Sequence, residues 1–233
     1  MSQTTSRRRS RASAGLPPIT ADKIIEAATE LTAEQGLDGW SIRQISTKLD
    51  VWPGVVAHHV GDREAVVMGV VDRVISRIPV PDRQLPWREW FSALMIEGRG
   101  VLRAYPGVAR RMVVVGPNVP AALPTIDTGI NVLQAAGFGE QSTLIYRYLL
   151  NSAFMLVAVE DDRANFPTAR VDMHRTMAAF ADDQARPGLA AAGAEALSQV
   201  RDPAELAQEE LRFFRFTVER SLDGAEAMLG GGR

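Results

Sequence analysis

Apolar side chains recur three and four residues apart between helix start and stop signals along nearly the whole chain, and alternating strand patterns are scarce. That spacing gathers the apolar residues into one stripe of a helix, and such a stripe is buried most simply against other helices. The expected fold class is therefore all-α. Thr20 is placed to cap a first helix carrying Ile24, Ile25, Ala28 and Leu31, with Asp22 in its first turn and Gly36 as its stop. Ser41-Ile42-Arg43-Gln44 fits the S-x-x-Q capping box, and Ile42, Ile45 and Leu49 form the inward stripe of the short helix it opens. A break follows at Asp50-Val51-Trp52. Pro53 suits the first position of a second short helix, which runs to His59 or Val60 before Gly61. Asp62 caps a longer helix with Val66, Val67, Val70, Val71, Val74 and Ile75 inward.

Pro79, Pro81 and Pro86 mark a boundary, beyond which the helices lengthen. The spacing predicts helices over Trp87–Tyr105, Val108–Val115, Ala121–Ala136 and Ser142–Glu160, the last apolar nearly all round and so expected to be buried. Helical pieces are expected around Met173–Phe180 and Ala190–Val200. Asp202-Pro203-Ala204-Glu205 combines cap, proline and acidic residue at the start of a final helix reaching about Leu229. The expected organisation is a disordered basic arm over 1–19, a small helical domain over 20–78 and a larger one over 79–233.

Several function classes drop out on composition. With no cysteine, the 233 residues hold no disulfide, thiolate metal site or cysteine nucleophile. The longest apolar run, Tyr148 to Val159, contains Asn151 and Ser152 and falls short of the ~18 residues of a membrane span. No secretory h-region follows the basic start, so a cytoplasmic protein without membrane partners is expected. Neither a P-loop nor a G-x-S-x-G turn is present. Adjacent His58 and His59 point about 100° apart on a helix and do not chelate one metal as an i, i+4 pair would. Gly98-Arg99-Gly100 lacks the preceding strand and third glycine of a dinucleotide site, and Glu160-Asp161-Asp162 reads as a solvated helix end rather than a magnesium site. No enzyme, no cofactor and no metal are expected.

Charge alone does not point to nucleic acid. Arg7, Arg8, Arg9 and Arg11 crowd the arm, yet residues 1–80 carry ten basic and nine acidic side chains. The stronger signal is the pair of short helices with a tight break and a supporting helix before them, which is the helix-turn-helix arrangement. A B-DNA major groove about 12 Å wide admits one helix with its side chains, and a short pair holds the second helix proud of the surface. The same spacing also suits an ordinary helical hairpin.

Residues 20–75 resemble the N-terminal domain of TetR-family transcriptional regulators. The stretches that carry the resemblance are IIEAATELTAEQG at 24–36, GWSIRQISTKL at 39–49 and VWPGVVAHHVGDREAVV at 51–67. FFRFTVERSLDGAEAML at 213–229 is similar to the last helix of family members close to the tetracycline repressor. The resemblance implies a dimeric, ligand-responsive repressor on a palindromic operator in double-stranded DNA. It implies that Arg43 reads a base edge, that Ser41 and Ile42 approach the backbone, and that Trp52 stands at the cap of the reading helix. Pro53, Gly54, Val55 and His58 would form that helix's exposed side, with His59 and Arg63 beside phosphates. The sequence departs from the family at Asp50 (usually glycine), Trp52 (serine), Ala57 (tyrosine) and Val60 (phenylalanine). The thin reading helix leaves a second reading open, an all-α ligand-binding protein or enzyme with a vestigial DNA-binding domain.

Thirteen of the fifteen aromatic residues lie beyond residue 86. A pocket between helices lined by aromatic and thioether groups is a usual small-molecule site. The expected lining is Trp90, Phe91, Met95, Arg99, Tyr105, Met112, Gln134, Asn151 and Met155, with an apolar or aromatic effector. His174 alone cannot supply the histidines of a magnesium–tetracycline site. On the final helix Leu211, Phe214, Val218, Leu222 and Leu229 share a stripe. The resemblance implies that they and Phe154 pair with a second copy of the chain.

Overall fold

The structure is a computed structural model describing residues 18–199 and 203–230. The arginines of the basic arm and the cap expected at Asp202 lie outside those residues. Among the described residues there are eleven α-helices and no strand.

The first four helices form as their caps dictate. Helix α1 (Ala21–Gln35) starts where the Thr20 hydroxyl accepts the Lys23 amide at 3.2 Å, and ends at Gly36 with φ 79°. Helix α2 (Ile42–Lys48) carries the reciprocal box, Ser41 amide to Gln44 Oε1 at 2.8 Å and Gln44 amide to Ser41 Oγ at 3.3 Å. Asp50 turns the chain at φ 50°, the left-handed region where the family's glycine sits more easily. Helix α3 (Pro53–His59) begins on the proline with no side-chain cap from Trp52. Asp62 caps α4 (Arg63–Ile75) through the Ala65 amide at 2.9 Å. Ile24, Ala28, Ile45, Val56, Val66 and Val70 are fully buried between these helices. Trp40 donates its indole N–H to the buried Thr32 hydroxyl at 2.8 Å, which leaves neither polar group unsatisfied.

Beyond the prolines follow α5 (Trp87–Leu102), α6 (Val108–Val115), α7 (Leu123–Ala135) and α8 (Ser142–Arg163). Then come α9 (Pro167–Ala178), α10 (Pro187–Gln199) and the long α11 (Pro203–Gly230). Helix α8 is the hub, packed against α5, α6, α7 and α11, while α9 and α10 pack on each other and against α11. Against the expectation of no apolar run long enough for a span, the stretch Gly139–Arg163 has the length and composition of one. Half of its most apolar part is buried inside the helical body.

Two expectations fail here. Phe214, Val218 and Leu222 face α5 and α8 within the same chain and are 2% exposed or less, so they are protomer core. Phe154 is buried too. Of the expected set Leu211 is half-buried and Leu229 is exposed, and α11 and α8 also leave Phe213, Phe216, Met228, Leu144, Tyr148 and Met155 outside. A stripe at helical spacing cannot say whether its cover is the same chain or another copy. Second, Glu160 and Asp161 are not a solvated end. Their side chains are 5% and 6% exposed, held by Arg99 of α5 and by Arg103 at its C-terminal cap.

Candidate nucleic-acid interface and interior cavity

The helix-turn-helix presents a mixed surface. Trp52 is 70% exposed at the start of α3, and Pro53, Gly54, Ala57, His58 and His59 are exposed along it. Val55 and Ile42 are half-buried against the core, so each shows only part of its side chain outward. The Ser41 hydroxyl is committed to its cap. Arg43 is exposed on α2 with no ion-pair partner among the described residues. Lys48, by contrast, is held by Glu30 at 2.9 Å and Glu34 at 3.6 Å, which raises its pKa. His58 and His59 meet edge to face, ring centroids 5.3 Å apart.

Arg63 departs from its expected role. Its guanidinium lies over the Trp40 ring at 4.8 Å and donates to the Leu37 carbonyl at 3.0 Å. Asp38 stands 3.7 Å away. The arginine fastens α4 to the turn after α1, and a phosphate would have to compete with three partners for it.

The interior cavity, about 240 Å³, opens between α4, α5, α6, α7 and α8. Ile75 and Ile78 come from the end of α4 and its exit, Leu94 from α5, Ile126 and Ile130 from α7. Of the lining expected from sequence, Met112 and Asn151 are present. Phe154 lines it as well, although it was expected at a dimer interface. The other residues fall elsewhere. Trp90, Phe91 and Met95 are buried in core packing without reaching the cavity, Trp90 donating its indole N–H to the Pro81 carbonyl at 3.1 Å. Arg99 pairs with Glu160 at 3.0 Å, and the Tyr105 hydroxyl bonds Arg77. Gln134 and Met155 are exposed on outer faces of α7 and α8. Composition located an aromatic domain but not which rings border empty space. Tyr146, missed from sequence, lines the cavity, and burial raises its phenol pKa.

Contacts run from this cavity's helices to the first four. The Leu37 amide donates to the Pro106 carbonyl at 2.8 Å, and the next amide, Gly107, donates to Asp161 at 3.0 Å. Asp72 of α4 accepts the Ala121 amide at 2.8 Å, and Glu64 pairs with Arg111 of α6.

No protein-family model matches the chain. An HTH-type transcriptional regulator of Saccharopolyspora erythraea is 32% identical over 132 residues, which is 55% of this chain and 55% of that protein. The chain thus spans about half the length of the curated relative it matches. The TetR family protein ActR of Streptomyces coelicolor, solved in complex with actinorhodin, superposes with TM-score 0.76 at 20% identity over 94% of this chain and all of that one. The chain has the TetR-family fold. BioQ bound to its double-stranded DNA operator shares that TetR-type fold at TM-score 0.58 and 17% identity, over 67% of this chain and 94% of that one.

Proposed function

We propose that the chain is a cytoplasmic DNA-binding transcriptional repressor that acts as a dimer and leaves a palindromic operator when a small apolar or aromatic ligand enters the interior cavity. One observation carries this reading: helix α4, whose start abuts the reading helix α3, ends in Ile75 and leads into Ile78 at the cavity wall. A ligand pressing on that end has a rigid lever to the DNA-facing pair. Coupling of this kind is worth about 1–3 kcal/mol and must come from a difference in ligand affinity between the two dimer geometries.

The dimer is assigned to the outer sides of α8 and α11. Leu144, Tyr148, Met155, Phe213 and Phe216 are each 47% exposed or more, and Tyr148 lies beside Gly224, which joins the two faces. Two copies joined there would set their reading helices about 34 Å apart, one turn of DNA. A gel shift on the DNA upstream of the gene, with nonspecific competitor and a salt series, tests the reading. Loss of the complex on ligand addition supports it, and a complex indifferent to sequence refutes it.

The thin reading helix makes its own prediction. Ala57 is exposed where the resemblance places a phosphate-binding tyrosine. Ala57→Tyr therefore tightens DNA binding by about two- to twelvefold, the worth of one added hydrogen bond of about 0.5–1.5 kcal/mol, measured by fluorescence anisotropy. Unchanged affinity would mean that α3 does not lie against the backbone.

A further inference from the structure

We infer that the cavity takes a hydrophobic organic anion, with its apolar body inside and its acidic group on Arg147; this rests on reading the cavity as the effector site. Helix α8 builds the wall from two parallel rows, each with a spacing of four residues. Tyr146, Leu150 and Phe154 form the deeper row and are buried. Thr143, Arg147 and Asn151 form the outer row.

Three facts give the ligand its chemistry. No aspartate or glutamate lines the cavity, so a cationic ligand would enter an apolar space without a counter-charge. Arg147 has no ion-pair partner among the described residues, whereas Arg63, Arg73, Arg77, Arg110, Arg111 and Arg212, which line three further surface hollows, each have one. Tyr146 is 91% buried, from its 9% exposure, and its hydroxyl has no hydrogen-bond partner among the described residues. The hydroxyl oxygen is not closed off from the cavity it borders, so a ligand oxygen there can pair with it. Guanidinium and carboxylate match in shape and charge, so an acid gains at Arg147 what a neutral analogue does not. The size sets the rest. At about 240 Å³ the cavity lies just under the range of about 300–1,000 Å³ usual for drug-sized ligands, which favours a body of about two fused rings.

Size-matched probes test this on the full chain: 2-naphthoate, 2-naphthamide and 2-naphthylmethylammonium, by calorimetry at two salt concentrations. The acid is expected to bind about tenfold more tightly than the amide, a difference of about 1.4 kcal/mol, with the ammonium weakest. Arg147→Gln, an exposed position, removes the preference by weakening the acid far more than the amide, and added salt narrows the gap in the wild type alone. Tyr146→Phe weakens acid and amide together. Equal binding of acid and amide, tightest binding of the ammonium, an Arg147→Gln variant that keeps the preference, or no binding of any probe would each overturn the inference. DNA release is read in the same samples. Arg147-dependent binding of the acid without release would leave the ligand class standing and sink the repressor reading. Release driven best by the amide would do the reverse.

Discussion

Replacing Glu160 by alanine lowers the stability of the folded chain by about 3 kcal/mol, because it strands the partly buried Arg99 and Arg103. Glu160 is 5% exposed and receives Arg99 at 3.0 Å and Arg103 at 3.4 Å, with Arg99 itself only 14% exposed. Arg103 also reaches Asp161 at 3.4 Å and Glu210 at 3.8 Å, and Arg170 reaches Glu210 at 2.5 Å. The cluster therefore ties α5, α8, α9 and α11 together. Removing one carboxylate leaves an uncompensated charge in it, a large part of the total stability of about 5–15 kcal/mol usual for a domain. Asp162, 64% exposed beside Arg110, is the control: Asp162→Ala changes stability by about 0.5 kcal/mol or less. Chemical denaturation of both variants decides it, and equal losses would contradict the cluster's role.

The same carboxylate gives a pH signature. Burial is the largest influence on Glu160 and raises its pKa above 4.5, against the lowering by Arg99 and Arg103. Asp161 is raised by burial as well, opposed first by the Gly107 amide. The folded chain thus holds these protons more tightly than the unfolded chain. Their contribution to stability grows as pH falls from above the folded value toward 4.5. Compared with Glu160→Gln, which cannot titrate there, the wild type gains stability over that fall. A gain on raising the pH instead would show that the arginines outweigh burial.

Arg43→Ala is expected to weaken binding to the specific DNA site by about 1–3 kcal/mol, roughly five- to 150-fold, while binding to unrelated DNA changes much less. Arg43 is exposed and unpaired on α2, next to a reading helix whose outward residues offer few hydrogen bonds. With Pro53, Gly54 and Ala57 supplying no donors, the guanidinium is the main group able to grip guanine O6 and N7 together. His58 and the thymine-compatible apolar surface of Trp52 and Val55 add less. Arg83→Ala, an exposed arginine in the connection before α5, is the matched loss of charge and leaves specificity intact. Equal losses on specific and unrelated DNA would show that Arg43 only neutralises phosphate.

The helices and their caps were legible because they are written locally. The Ser41–Gln44 box, Thr20, Asp62 and Pro53 each act within one turn, and each stands where the sequence placed it. The exposed helix α3 was legible for the same reason. What the sequence could not show is which side of a helix meets which neighbour. Phe154 and Leu222 carry the same stripe signal whether they face a cavity, a core or a partner, and here the structure gives one to the cavity and the other to the core. The acidic run at 160–162 looked like a surface because its partners Arg99 and Arg103 lie about sixty positions away in sequence, with pairs spanning 61 and 58 residues. Tyr146 was missed since nothing local distinguishes a phenol that borders a cavity from one packed in a core.

The account stands on α3 reading sequence. The direct measurement is the affinity of the full chain for DNA upstream of its gene against a scrambled duplex of equal length, both at physiological salt. Specific binding should be tighter by about a thousandfold or more. Equal affinity for the two duplexes would contradict it.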